Sequence, residues 1–548
     1  MFYPLHSCVP LAVQSACELL SSHGFRELKE HEPWKLRPSD CVFIRKNGTT
    51  VIAAAVGGKF KLGNPFHIIG AHTDSPCLRL KPFSERVKEG YVQLGVETYG
   101  GGLWYTWFDR DLKLAGRAVT ANSSGRLEER LVHLDRPIAC VPSLAIHLNQ
   151  EVKVQGFQPN TEQHVAPILC TCLMDQVSFS EALNTLEAVS ICFIYAPRFF
   201  PSCHLSQHLM PPPGSSSKWS RFRRSGSVQN ADASDCAQPC ASTSAANSDG
   251  SCSVTLGKRR HPIGLLRLIA QDLGVTEHDL LELELYFSDC QPARIGGLHN
   301  EFIHAPRLDN LFNSYTSLCG LVGSMSSLNE DSTLRLVCLY DHEEIGSTST
   351  QGANSVHTIN ILRRLTEALA PTCAFEAANP PAASNPTESE PESSNNVPSA
   401  PVPYSHLEES LSKSFLLSAD QAHAVHPSYH ERHEQNHKAQ LHCGLILKYN
   451  SAQRYATNAL TAAAVRQIAQ HASVPIQEFT PRQDMHCGST IGPLLSSHLG
   501  VPTADVGFPQ LAMHSCRELC CTTSVSQAIR FYSAFYEQLS KLWPPERA

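Results

Sequence analysis

The chain has 548 residues, of which 42% are hydrophobic and 17% charged, so it can build more than one folded core. A formal net charge of -7 argues against a nucleic-acid-binding protein, which would need clustered Lys and Arg. No segment is apolar for long enough to cross a bilayer, and residues 1–6 lack the features of a secretory signal, so we expect a soluble cytoplasmic protein.

Helical and strand-like patterns alternate along the chain. Apolar residues at helical spacing predict a first helix over Val13, Ala16, Cys17 and Leu20, which Gly24 ends. Runs of β-branched and apolar residues predict strands at 50–56, 67–71, 334–340 and 503–507, and a further helix is predicted over 459–472. This alternation indicates an α/β fold of layered helices and sheet. The 21 cysteines lie in apolar stretches without paired motifs, which predicts buried thiols rather than disulfides.

Two stretches interrupt the alternation. Residues 211–255 are rich in Ser, Ala, Asn, Asp and Pro, and residues 371–403 in Pro, Ser, Asn and Glu. Such compositions bury too little apolar surface to offset the entropy of ordering, so both are predicted to be disordered inserts.

A His-x-Asp motif, His72 and Asp74, follows the predicted strand 67–71. Side chains at that end of a strand point into the crevice where open α/β folds bind ligands. Asp74 can accept the second imidazole N–H of His72, which fixes the tautomer and raises its basicity as a metal ligand. Taken alone the motif is weak, because a histidine at a strand end is more often an ordinary core or surface residue.

Acidic residues cluster at two further points. Asp341, Glu343 and Glu344 follow strand 334–340, and like charges so close raise one another's pKa unless a cation compensates them. One of the adjacent glutamates can then bind a metal while the other reaches a bound water; a solvated acidic turn is the alternative. Asp309 is interpreted either as a helix N-cap or as a carboxylate that bridges two cations.

Two later motifs complete the set. Asp420 follows an apolar run, and His514 comes after strand 503–507. Together the five motifs supply two histidines and three carboxylates, a nitrogen and oxygen donor set that suits zinc, with manganese as a rival. Five such motifs, each read as following a buried strand, predict one metal centre.

A series of ordered motifs resembles the M18 metallopeptidases, the aspartyl aminopeptidase family. They are AHTDSPCLRLKP, VETYGGGLWYTWFDRDLKLAGR, HAPRLDNL, YDHEEIGSTSTQGA, SADQAHAVHPSY, GSTIGPL and PQLAMHS. The resemblance implies a catalytic α/β domain with a central mixed sheet flanked by helices, at 1–85 and 297–548. A smaller β-rich assembly domain at 86–296 would interrupt it, and the family's homo-oligomer is a dodecamer.

The resemblance also implies roles for single residues. Two zinc ions per subunit, with manganese as a rival at one of them, would be held by His72, Glu344, a bridging Asp309, Asp420 and His514. Glu343 is implied as general base, and Asp74 as the residue that orients His72. The implied contacts with the substrate, a peptide that begins with Asp or Glu, come from His423, Tyr455, Lys448 as the cation for the acidic side chain, and His147 from a neighbouring subunit.

Two other functions stay open at this point. A related two-metal amidase or deacylase would use the same centre on substrates other than peptides, and a non-catalytic oligomeric scaffold or cargo homologue would keep the fold without turnover. Lys448 could also be a solvated rim residue rather than a specificity cation. One departure from the family pattern is His486, which stands where a small or cyclic residue is expected near the site.

Overall fold

The computed structural model describes residues 8–122, 124–175, 260–378 and 405–544. The predicted insert 211–255 lies outside these residues, as do residues 379–403 of the second insert, whose first residues, 371–378, continue a helix. Among the described residues, no helix is both long and apolar enough to cross a membrane. The cysteines whose side chains are described are free thiols, as predicted, and several of them are buried.

The α-helices, in chain order, are α1 (Val9–Ser22), α2 (Val152–Gln155), α3 (Cys172–Asp175), α4 (Ile263–Leu273), α5 (Leu308–Gly323), α6 (His357–Ala378), α7 (Ser405–Lys413), α8 (Ala459–His471), α9 (Ile491–Leu499) and α10 (Thr522–Gln538). The strands are β1 (Arg26–Leu28), β2 (Cys41–Lys46), β3 (Thr50–Val56), β4 (Phe66–His72), β5 (Cys77–Lys88), β6 (Tyr91–Tyr99), β7 (Leu112–Ala121), β8 (Leu127–Ala139), β9 (Ile168–Thr171), β10 (Leu280–Asp289), β11 (Arg294–Gly296), β12 (Phe302–Ala305), β13 (Leu334–Tyr340), β14 (Phe415–Ala419), β15 (Ala422–His423), β16 (Leu445–Lys448), β17 (Ile476–Phe479), β18 (Thr503–Gly507), β19 (Pro509–Leu511) and β20 (Glu518–Cys521).

A nine-stranded mixed sheet forms the centre of the fold, in the order β1-β2-β3-β13-β4-β14-β18-β16-β17. Its middle strands β13, β4, β14 and β18 are parallel, while β3 and β16 run antiparallel to their neighbours β13 and β18. The carboxyl ends of the parallel strands therefore lie along one edge. This arrangement confirms the predicted central mixed sheet.

Side chains of the central sheet enter two separate cores because successive residues of a strand face opposite sides. In β3, Ala53 and Ala55 pack in one core with residues of α1, α5, α8 and α10, whereas Ile52 and Ala54 pack in the other with residues of α6, α7 and α9. Both faces of the sheet are thus covered by helices. This explains why the central strands read as continuous apolar runs rather than alternating ones.

Two further sheets complete the fold. A six-stranded sheet, β8-β7-β10-β5-β6-β9, is built from strands within residues 77–171 and 280–289 and packs against α4. A five-stranded sheet, β11-β12-β20-β19-β15, lies beside the loops that follow the central strands. The β-rich sheet falls largely within the interval assigned to the assembly domain, and the division at residues 85 and 297 stays a prediction.

The predicted strands 50–56, 334–340 and 503–507 match β3, β13 and β18, and the predicted helices match α1 and α8 within a few residues. The sequence predicts a buried strand before each of the five metal-type motifs. This is confirmed for the motif that contains His514, which directly follows β18 and passes through β19 before it reaches His514. The motif that contains Asp309 follows β12, which is only partly buried, and Asp309 lies at the start of α5 with a non-helical backbone, φ -83° and ψ 106°. Both segments nevertheless reach the edge at which the central parallel strands end.

Candidate active site

The site is built at the carboxyl ends of two adjacent parallel strands. His72 is the last residue of β4, and Asp420 directly follows β14, which pairs with β4 from Phe415 to Ser418. This pairing brings His72 Nε2 to 3.5 Å from Asp420 Oδ1. The predicted juxtaposition of these two side chains therefore follows from the strand order.

Asp309 connects this pair to His514. Its Oδ1 lies 3.4 Å from His72 Nε2, and its Oδ2 lies 3.4 Å from His514 Nε2. The N-cap interpretation is wrong, because Arg307 occupies the cap position of α5 and the Asp309 carboxylate faces the two imidazoles instead. A carboxylate with one oxygen toward each histidine has the orientation that bridging requires.

The two adjacent glutamates face different histidines. After β13 ends, His342 adopts a left-handed conformation with φ 65°, and a single 3-10 turn, Glu343–Ile345, follows. Glu344 Oε2 then lies 3.3 Å from His514 Nε2, whereas Glu343 Oε2 lies 3.9 Å from His72 Nε2. The left-handed residue turns the chain sharply enough to bring both carboxylates to the site.

Three overlapping groups have ligand atoms within 4.8 Å of one another: His72, Asp309 and Asp420; Asp309, Glu344 and His514; and His72, Glu343 and Glu344. Buried polar atoms normally have hydrogen-bond partners, yet Asp309 Oδ1 and Glu344 Oε1 are buried without one in the described structure. Two imidazoles and several carboxylates are the donors that zinc takes. The residues present therefore fit zinc.

The charges at the site shift one another's pKa. Burial raises the pKa of Glu343 to about 8, with the opposing charge of His72 outweighed by burial and by neighbouring carboxylates. Burial also raises the pKa of Glu344 well above its usual value, against the opposing charge of His514. For Asp309 burial acts in the same direction, but the two imidazoles outweigh it and lower the pKa. A cation bound among these groups would favour the ionised form of all three carboxyl groups and so lower their pKa values.

Asp74 contacts both His72 and the glutamate turn. The Nδ1 atom of His72 is 3.0 Å from the main-chain oxygen of Asp74 and 3.4 Å from its carboxylate, so the carbonyl is the closer partner. The carboxylate accepts the main-chain N–H groups of Glu343 and Glu344, both at 3.0 Å, and the Tyr99 hydroxyl at 2.8 Å. Asp74 is therefore connected to more of the site than the predicted contact with His72.

The metal-type residues line a cavity of about 400 Å³ that also contains three of the predicted substrate contacts. Lys448, at the end of β16, is 3% exposed, so it is not a solvated rim residue. Its Nζ donates to the Gln421 carbonyl at 2.7 Å, lies 3.4 Å from Asp420 Oδ2 and lies 5.5 Å from the Tyr455 ring. Desolvation by the surrounding protein, together with the charge of Lys448, lowers the pKa of His423 to about 4, although part of this side chain is exposed.

Two singled-out histidines do not line this cavity. His147 is exposed in the segment between β8 and β9, where Leu144 and Leu148 are also exposed. His486 is exposed too and lines a separate cavity of about 370 Å³ beside Cys487. His486, the extra titrating group expected near the site, therefore lines a different cavity. Tyr455 lines the active-site cavity and Cys487 lines the other one, and the Cys487 thiol donates to the Tyr455 hydroxyl at 3.5 Å.

Glu518 is a site residue that the sequence analysis missed. Its buried carboxylate accepts the main-chain N–H of His514 at 2.7 Å and that of Asp309 at 2.9 Å. Burial, together with the charge of Asp309, raises its pKa to about 8. Its position four residues after His514 is the one sequence signal for it, and nothing in that spacing distinguishes it from a solvated glutamate. Tyr99 was also missed, although it lies inside a quoted motif.

Comparison with known proteins agrees with this fold. The family model described as aminopeptidase I zinc metalloprotease (M18) matches residues 9–188, 223–384 and 397–536. The probable aspartyl aminopeptidase of Ricinus communis is 37% identical over 537 residues, which cover 97% of this chain and 92% of that protein. The aspartyl aminopeptidase of Aspergillus oryzae is 38% identical over 540 residues, covering 96% of this chain and 93% of the relative.

A solved structure gives the same result. A chain in the cryo-EM structure of the Ape4 and Nbr1 complex superposes with a TM-score of 0.76 at 33% identity, covering 99% of this chain and 86% of that one. The fold and the site are those of a zinc metallopeptidase. The chain belongs to the M18 aminopeptidase family, which confirms the resemblance noted in its motifs.

The contacts of Glu518 generate a first prediction. In Glu518→Gln the amide nitrogen replaces one acceptor, so the N–H of either Asp309 or His514 loses its partner. We expect zinc affinity to fall by about 10- to 100-fold, as for other residues that orient metal ligands. Competition with a chelator measures it. The control is Glu282→Gln, because Glu282 is an exposed residue of β10 that forms an ion pair with Arg260. Equal zinc affinity in the two variants would contradict the role of Glu518 in orienting the metal ligands.

Proposed function

We propose that this protein is an aminopeptidase with two zinc ions per subunit that removes Asp or Glu from the N-termini of peptides. The observation that supports it most strongly is the convergence of five side chains from distant parts of the sequence on one cavity, with Glu343 and Lys448 lining the same space. The membership of the M18 family supplies the reaction class, and the cavity supplies a reason for the preference.

The ligands divide into two sets that share a residue. His72, Asp420 and Asp309 would hold one ion, and Glu344, His514 and Asp309 the other. In these two sets each imidazole lies 3.3–3.5 Å from its carboxylates, whereas Glu343 lies 3.9 Å from His72. Zinc bound there supplies Lewis acidity and a water that ionises near neutral pH. Manganese at one position is the rival that metal analysis would identify.

Glu343 is the proposed general base. Its side chain is 13% exposed and lines the cavity, so a water can reach it. It lies 3.9 Å from His72 but belongs to neither of the two ligand sets that contain Asp309. Its carboxylate would accept a proton from the attacking water and then donate it to the leaving amine. Asp74 would hold this carboxylate in place through the main-chain N–H of Glu343.

Lys448 is the proposed determinant of specificity. A buried ammonium is costly unless a negative charge compensates it, and Asp420 Oδ2 at 3.4 Å is the neighbouring carboxylate. An Asp or Glu side chain in the cavity would give the ammonium a second charged partner beside Asp420, whereas a Leu side chain would not. His423 and the Tyr455 ring would line the same pocket beside Lys448.

The first test of this function combines metal analysis with Glu343→Gln. We expect zinc to be retained and hydrolysis of Asp- and Glu-initiated peptides to fall by about 100- to 10,000-fold, because the proton acceptor is lost. Inductively coupled plasma mass spectrometry and peptide assays measure the two quantities. Unchanged activity in the variant would defeat the mechanism. Wild-type turnover of N-acyl amino acids but not of peptides would favour the amidase or deacylase.

A second prediction concerns Lys448→Met, which keeps the length of the side chain and removes its charge. We expect kcat/KM for an Asp-initiated substrate to fall by about 100-fold, because a charged hydrogen bond in a desolvated site contributes about 2–3 kcal/mol. For a Leu-initiated substrate the loss is expected to be less than about tenfold. Lys413→Met, on the exposed end of α7, is the control. Equal losses for both substrates would refute the specificity role.

We also propose that the protein assembles as a homo-oligomer, a dodecamer by family membership, in which His147 reaches the active site of a neighbouring subunit. The segment that carries His147 exposes Leu144, Ile146 and Leu148, and exposed apolar side chains in one segment are typical of interaction surfaces. His147 does not line the cavity of its own chain, which is consistent with action on another.

Mixed oligomers test this arrangement. His147→Ala and Glu343→Gln subunits are each expected to be inactive when assembled alone. Oligomers reassembled from both are expected to regain activity, because a His147→Ala subunit keeps its own Glu343 and receives His147 from its neighbour. Native mass spectrometry verifies the mixing. Failure of mixed oligomers to regain activity would show that His147 does not act between subunits.

A further inference from the structure

Asp505 is a buried carboxylate that neither the metal centre nor the proposed proton transfer uses. It lies in β18, is fully buried, and does not line the active-site cavity. Its strand separates β14, which leads into Asp420, from β16, which ends at Lys448. The register pairs Ile446 with Gly507 and Leu447 with Val506, so continuing it by one residue brings Lys448 opposite Asp505 on the same face.

The two carboxylate oxygens of Asp505 hold two different segments of the chain. Oδ2 accepts the main-chain N–H of Ala456 at 2.6 Å, directly after Tyr455. Oδ1 accepts the hydroxyl of Thr490 at 2.5 Å, at the end of the loop Gly488–Thr490. Tyr455 and this loop are both walls of the cavity that contains Lys448. One buried side chain thus ties together two walls of the pocket from behind.

Other contacts show how closely the segments are fitted to Asp505. Thr490 is the N-cap of α9, and Gly492 in its first turn lies so near that a Cβ atom there would be 2.5 Å from both carboxylate oxygens. The main-chain N–H of Asp505 donates to the Thr457 hydroxyl at 2.9 Å, and the Ser489 hydroxyl donates to the Arg454 carbonyl at 3.2 Å. The start of α9, the loop and the segment 454–457 therefore meet around this carboxylate.

We propose that Asp505 is the positioning residue of the pocket for the first substrate residue, fixing the distance between Lys448 and the walls formed by Tyr455 and Gly488–Thr490. The proposal rests on the proposed function, because it assigns the pocket to an acidic first residue. Misplacing a wall by about 1 Å weakens a charged contact strongly, since the carboxylate must meet a single ammonium. Asp74 and Glu518 accept the main-chain N–H groups of Glu343, Glu344, Asp309 and His514 independently of Asp505, so we expect these four side chains to keep their positions.

Three variants test the proposal. Asp505→Ala removes both hydrogen bonds, Asp505→Asn removes the charge but keeps one acceptor and the shape, and Thr490→Val removes the Oδ1 contact alone. For an Asp-initiated substrate we expect the KM of Asp505→Ala to rise by about tenfold or more, with kcat changed by less than about threefold. For a Leu-initiated substrate both parameters should stay within about threefold. Thr490→Val should also raise the KM for the Asp-initiated substrate. Asp505→Asn should have a KM close to that of the wild type.

The controls separate positioning from general damage. Asp331→Asn alters a carboxylate that bonds Arg335 and Thr333 and does not line the cavity, so it should leave the ratio of Asp- to Leu-substrate KM unchanged. Zinc content should equal that of the wild type in every variant. If Asp505→Ala does not fold, Thr490→Val decides the question alone. Equal losses for both substrates, lost zinc, or an unchanged KM in Thr490→Val would overturn the proposal.

Failure of this proposal differs from failure of the proposed function. A wild-type enzyme with no preference for Asp over Leu would defeat the function itself. A wild-type enzyme with that preference, whose Asp505 and Thr490 variants keep it, would defeat only the role of Asp505.

Discussion

The structure of the site depends on negative charge gathered in a small buried space. Asp309, Glu343, Glu344 and Asp420 all approach the imidazoles of His72 and His514. Two carboxylates about 4 Å apart repel each other by about 4 kcal/mol at an effective dielectric constant of about 20. A fold does not retain several such repulsions unless positive charge compensates them, and the two imidazoles compensate them in part. The remaining negative charge is what gives the site its affinity for divalent cations.

The carboxylates of the site form two groups, according to whether protein N–H groups donate hydrogen bonds to their buried oxygens. Asp74 and Glu518 are buried and accept main-chain N–H groups of the segments that carry Glu343, Glu344, Asp309 and His514. Asp309 Oδ1 and Glu344 Oε1 are also buried, and no protein donor among the described residues bonds them. The first pair is therefore scaffold, and the second pair offers lone pairs to a ligand. This division is visible only in three dimensions, because all four are ordinary acidic residues in sequence.

The parts of the fold that the sequence predicted are those determined by local composition. The strands at 50–56, 334–340 and 503–507 were found with correct bounds because each is a short run of mainly β-branched, small or apolar residues that is buried on both faces, although the last of them includes Asp505. The strand order was not predictable in this way, because pairing between β13, β4 and β14 joins residues hundreds of positions apart. The same limit hid Glu518, because its partners Asp309 and His514 are brought to it by other parts of the fold.

Asp420 lies between the metal-type residues and the buried Lys448. Its Oδ1 faces His72 at 3.5 Å and its Oδ2 faces Lys448 at 3.4 Å. A cation bound by Asp420 and His72 would be attracted by the same Asp420 carboxylate that compensates the Lys448 ammonium. Under the proposed function, filling the metal centre therefore leaves Lys448 with a greater need for a carboxylate, and an acidic first residue supplies it. Charge selectivity then depends on the metal as well as on the lysine, because both share one carboxylate.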